Sequence, residues 1–244
     1  TELVSKGHGS GWRWLRHRTL LAGVLAASWA HAQNVSLYSF SSSTGGTLDA
    51  MSGSSVLIGP GQDDVSSSVN AIGFDLVYEG STYTQFSVNS NGGMRLGGTA
   101  ITSSAIWNLT QTGNEVPLLP FSADGGTANG NVSTRVEGSA PNRIRLVQWN
   151  VGIDYNAAST NCIFQVWLYE GSNVIEFRYG AGAPSGGGAP DKLVAIGGAT
   201  SANFINVRPG PVGSVSDASP LNAWPGDGTV FTFTPPAPCT PPPA

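Results

Sequence analysis

The chain has 244 residues, of which only 11% are charged, with 33 glycines and 16 prolines. Abundant Ser, Thr, Asn and Gly exclude a protein of long helices, because these residues favour turns and strand ends. Regularly spaced Val, Ile, Phe, Trp and Tyr exclude a disordered one. Beyond residue 32 the chain carries 7 basic and 14 acidic residues, which leaves no basic footprint for nucleic acid.

Residues 1–32 differ from the rest. Lys6, Arg13, Arg16 and Arg18 precede an apolar run at 20–27, and Ala30-His31-Ala32 fits a small-x-small cleavage pattern. The run is far shorter than the roughly 20 residues needed to span a bilayer. The segment reads as a secretory signal peptide. It predicts a secreted protein, extracellular or on the outer cell surface, that does not span a membrane after cleavage.

Next, residues 34–40 (NVSLYSF) alternate and predict a first strand, followed by turn-rich sequence with a strand near 47–51. In 71–78, Ile72, Phe74, Leu76 and Tyr78 fall on one face. Residues 83–88 and 93–96 flank Asn89-Ser90-Asn91-Gly92-Gly93 and predict a hairpin. Residues 104–109 suit a short helix or a loop. The run PLLPF at 117–121 is excluded from a central strand at its prolines. Residues 125–131 read as a loop, 132–138 as a strand and 139–142 as a turn.

The longest strand signal covers 143–155, with apolar groups on both faces. Strands at 162–169 and 174–179 follow as a meander around Glu170-Gly171-Ser172-Asn173. A glycine-rich loop at 180–190, strands at 193–197, 204–207 and 229–234, and the Pro-rich tail PPAPCTPPPA complete the chain. The reading is all-β: an antiparallel two-sheet β-sandwich, jelly-roll-like, with about 10–12 strands. The domains are 1–32 as signal peptide, 33–234 as sandwich, and 235–244 as a linker to a downstream domain.

Four segments recur together: YSFSSSTGG at 38–46, YTQFSVNSNGGMRLG at 83–97, PNRIRLVQW at 141–149 and FQVWLYEGSNVIEFRYG at 164–180. In this order they resemble the N-terminal β-sandwich domain of large multidomain exported proteins of the Bacteroidetes and their relatives. They are distantly similar to the nidogen-type extracellular domain. The resemblance implies a noncatalytic structural or adhesion module of a larger protein, followed by further domains. In such proteins the proline segment continues into Trp-Asp-Asp, whereas here Ser122-Ala123-Asp124 follows and only Asp124 matches.

Beyond residue 32 there is no histidine, which excludes a Ser-His-Asp triad there. A polysaccharide-acting hydrolase would need paired carboxylates, and Glu170 and Glu176 flank a hairpin as solvated charges. Asp63, Asp64 and Asp124, with Asp75 or Asp154, are the oxygen donors from which a Ca2+ site could be built. Trp107, Trp224 and Tyr155 are candidates for a sugar-stacking platform, the alternative reading being a carbohydrate-binding module, while Trp149 and Trp167 read as core. The partners expected are an extracellular glycan or a surface protein. Export permits a Cys162–Cys239 disulfide. The two residues equally suit a buried thiol at Cys162 and a Cys239 that pairs beyond this stretch.

Overall fold

The computed structural model describes residues 33–109, 116–184 and 191–237. The signal-peptide reading, Cys239 and most of the Pro-rich tail lie outside them. In chain order the strands are β1 (Ser39–Ser43), β2 (Ser55–Ile58), β3 (Asn70–Tyr78), β4 (Ser81–Val88), β5 (Met94–Leu96), β6 (Pro117–Ser122) and β7 (Gly125–Glu137). They continue as β8 (Ile144–Ile153), β9 (Cys162–Tyr169), β10 (Ile175–Gly182), β11 (Leu193–Gly197), β12 (Phe204–Arg208), β13 (Val212–Ser214) and β14 (Val230–Thr234).

They form two antiparallel seven-stranded sheets. The first runs β1-β14-β10-β9-β8-β7-β2 and the second β13-β12-β11-β6-β5-β4-β3. This is the sandwich expected from the strand pattern. The first sheet contains the β8-β9-β10 meander, and β14 inserts between β1 and β10, so the last strand pairs with the first (Ser39 opposite Thr234). Alternation places Ile72, Phe74, Leu76 and Tyr78 of β3 against Val147, Trp149, Val151, Phe164 and Phe177 of the facing sheet, all in one buried cluster. Trp149 stacks on Phe164 at 5.4 Å between centroids and 7° between planes.

Four elements differ from their sequence expectation. Residues 35–37 form a 3-10 turn, and β1 begins only at Ser39. No strand forms at 47–51. This segment crosses the outer face of the first sheet and pairs with a side chain, as described below. The glycine-containing stretch 125–131 belongs to β7, with a register irregularity between Gly126 and Asn131.

β6 sits in the middle of its sheet, between β11 and β5, in spite of its prolines. Pro117 is its first residue, and Pro120 falls where the register with β11 shifts. A missing N–H is tolerated at strand starts and bulges, which is why the proline rule did not apply. Residues 104–109 are irregular. They lie on the outer face of the second sheet, where Ile101, Ile106 and Leu109 pack on Leu119, Leu193, Ala195 and Phe204 in a smaller core. Burial on both faces explains the unbroken apolar runs of β6 and β11.

Candidate functional site

The loops at one end of the sandwich converge on the turn 89–93. A hairpin turn normally faces water, yet Asn89, Ser90 and Asn91 are fully buried. Each polar group there has work to do. Asn89 accepts from the Gly93 N–H (2.8 Å) and donates to the carbonyls of Thr102 (2.9 Å) and Ser104 (3.1 Å). Asn91 donates to the Ser103 carbonyl and to an Asp64 carboxylate oxygen, and accepts from the Gly125 N–H, each at 2.8 Å. Ser90 Oγ accepts from Val65 N–H, and Trp149 Nε1 donates to the Asn89 carbonyl at 2.8 Å.

Gly92 has φ +76°, and a Cβ there would land on the Phe121 carbonyl oxygen, so only glycine fits. The turn is therefore a buried hub that ties together segments 64–65, 102–104, 121–125 and the core tryptophan. Sequence reading found the turn but not its burial. The available signal was an excess of amide side chains over what a tight reversal needs.

Around this hub stand the carboxylates of Asp63, Asp64, Asp124 and Asp154. Asp63 and Asp64 precede β3, Asp124 links β6 to β7, and Asp154 follows β8. A bridge between Asp63 and Gly126, and the pairing of Gly125 with Ile153, bring the three segments together. A Cβ on Gly126 would lie 3.1 Å from the Tyr155 carbonyl and 3.2 Å from that of Gln62, which is how glycine permits this close approach.

Burial pushes the Asp63 carboxyl up, and repulsion from Asp64 and Asp154 adds to it, against a backbone hydrogen bond from Asp64. Asp124 rises for the same reasons, first burial and then Asp154, Asp63 and Asp64. The structure thus brings Asp63, Asp64 and Asp124 within each other's field and, of the two further donors the sequence offered, joins Asp154 to them. Asp75 lies exposed on β3 and has no part in this. Among the described residues no three Asp, Glu, His or Cys side chains stand close enough to share a metal ion.

The aromatic candidates part company. Tyr155 is 47% exposed beside the aspartates. Trp107 is half-buried in the 97–109 loop. Trp224 instead packs edge-on against Phe121 (4.9 Å), Tyr179 (5.5 Å) and Phe164 (6.1 Å), with its indole N–H 3.3 Å from the Gly180 carbonyl. Its ring lies where a Cβ on Gly182 would stand.

Glu170 and Glu176 are each committed to an arginine. Glu170 takes a two-pronged bond from Arg143 (2.6 and 2.8 Å), which holds its carboxyl down at about 2. Glu176 accepts from Arg178 at 2.7 Å and from the Tyr169 hydroxyl at 2.8 Å. Cys162 is a free, buried thiol on β9.

A comparison with protein families matches residues 37–235 to the family described as NIDO related. The chain belongs to the NIDO-related family. The match spans the whole sandwich, from the 3-10 turn to the end of β14, which agrees with the resemblance to nidogen-type extracellular domains. NIDO-related domains are noncatalytic structural modules. No curated protein and no solved structure matches this NIDO-related chain.

Proposed function

We propose that this NIDO-related domain is a noncatalytic adhesion module of a larger secreted or surface protein, presenting its loops to an extracellular partner. The observation that carries this reading is the family match over 37–235, laid on a complete two-sheet sandwich. The ion pairs of Glu170 and Glu176 support it, since a glycosidase needs one carboxyl free to give a proton and a second free to act as base or nucleophile. No helix among the described residues is long and apolar enough to cross a membrane.

The acidic loop end favours a cationic or hydroxyl-rich partner. Carbohydrate binding is the second reading, and the exposed Tyr155, which follows Asp154 and donates its backbone N–H to that carboxylate, favours it. Screening the chain against a glycan array and against extracellular surface proteins separates the two. Glycan binding that Tyr155→Ala or Trp107→Ala abolishes, with an unchanged melting curve, makes it a carbohydrate-binding module. Protein binding alone supports the adhesion reading, and turnover of any polysaccharide overturns both.

The proposed role uses no resident cofactor. Calcium is checked by melting the protein with and without millimolar Ca2+. A rise in Tm that disappears in Asp63→Asn and Asp64→Asn would make it an ion-loaded module.

A further inference from the structure

One flank of the sandwich is left open where the edge strands β1 and β13 face each other. Each has a single strand neighbour, β14 and β12 respectively. Between them lies a cleft of about 390 Å³ lined by Tyr38, Phe40, Ile205, Pro211, Val212 and Val215. Val212 and Val215 are 57% and 49% exposed, and Leu37, next to Tyr38, is 59% exposed. Residues 37–43 and 211–216 carry no charge. Uncharged, unpaired edges that expose apolar side chains are surfaces that proteins cover, because bare ones pair with other chains.

The occupant is indicated by where the chain leaves the fold. β14 ends at Thr234, directly opposite Ser39 at the start of β1. The next ten residues are PPAPCTPPPA, six of them proline and none charged. In a polyproline II conformation they extend roughly 31 Å at about 3.1 Å per residue. The cleft begins one strand away, at a spacing of about 4.8 Å. Pro-rich segments dock on aromatic grooves because their conformation is already ordered and little entropy is lost. Their carbonyls accept from an edge strand without extending the sheet, since proline has no N–H to give onward. Tethering supplies an effective concentration in the millimolar range for short linkers.

We propose that residues 235–244 cross the β1 edge and lie in the Tyr38–Phe40–Val215 cleft, fixing the direction in which the polypeptide leaves the domain. Cys239 lies within the segment and reports its position. The test places a second thiol by Val215→Cys in the full chain, with Ser172→Cys as the control. Ser172 is exposed, in the turn before Ile175, and Ile175 pairs with Phe233 on the other side of β14, so an undirected tail reaches both sites.

Under oxidised glutathione, mass mapping should find the intramolecular V215C–Cys239 link forming at least about tenfold faster than the S172C link. Replacing Pro241, Pro242 and Pro243 by Ser should remove that preference. Equal rates, no link at either site, or links only between chains overturn the proposal, the last pointing to a second copy as the occupant.

Discussion

At the scale of single residues, Asn91 does more than its place in a turn suggests. Its fully buried amide satisfies the half-buried Ser103 carbonyl and the buried Gly125 N–H. Asn91→Ala strands both groups, and an unsatisfied buried polar group costs about 1–3 kcal/mol. The expected loss is roughly 3 kcal/mol, or on the order of 10 °C in Tm. Calorimetry checks it, and a drop below about 2 °C would contradict the hub. Cys162 makes a second residue-scale case. Burial pushes its thiol up to about 12, against weaker pulls from the Ala183 N–H and Lys192. Thiolate is the reactive form, so iodoacetamide at pH 8 should label it only as fast as the protein unfolds. Labelling of the native protein within minutes would mean that β9 opens locally. The Asn-Ser-Asn cluster was visible in the sequence as a reversal. Its burial was not, because the groups it serves lie 12 to 60 residues away.

At the scale of elements, the segment that reads as a strand at 47–51 shows how a side chain replaces a neighbour. Gln165, fully buried on the outer face of β9, accepts from the Asp49 N–H (3.0 Å) and donates to the Asp49 carbonyl (2.8 Å), as a peptide group on an adjacent strand would. Its carbonyl also accepts from Trp167 Nε1 at 2.8 Å. Arg178 holds the Thr47 carbonyl at 3.0 Å, and its guanidinium sits 3.6 Å above the Trp167 ring. Trp167, expected in the core, thus works on the opposite face. Gln165→Leu should free the strap while leaving the β8–β9 ladder intact. Hydrogen exchange at residues 46–52 is expected to accelerate at least tenfold, with a stability loss of about 2 kcal/mol. Unchanged protection of the Asp49 amide would show that the strap is held by other contacts. Likewise β6 could be recognised as apolar and proline-containing, but not its central place, which is tolerated because β5 pairs only with Pro117 and Leu118 and Pro120 falls at the register shift with β11.

For the whole molecule, charge sets an unusual pH response. Burial raises the carboxyls of Asp63, Asp124 and Glu79, so the folded protein takes up these protons before the unfolded chain does. Stability therefore falls as pH rises from the ordinary 3.8 and 4.5 through their higher folded values. Glu170, held down by Arg143, and Asp217, held down by Ser219, act in the opposite sense. Their contributions are complete above 4.5 and 3.8 and are lost as pH falls further. In urea melts taken as a pH series, Asp124→Asn should lessen the fall in midpoint that accompanies rising pH above 3.8, and Glu170→Gln should lessen the loss as pH drops below 4.5. A midpoint that climbs steadily to pH 8 would contradict the repulsive acidic end. By itself the sequence determined the all-β class, the alternating faces of β3 and β8–β10, the hairpin turns and the family, because these are carried by neighbours within a few residues. Only the tertiary structure decided that β14 inserts between β1 and β10, that four aspartates from three loops share one end, and that Trp224 packs as a plug. Those outcomes depend on pairings between distant segments, such as Asp63 with Gly126, Ile175 with Phe233 and Ser39 with Thr234, and no local pattern encodes which edge a strand will find.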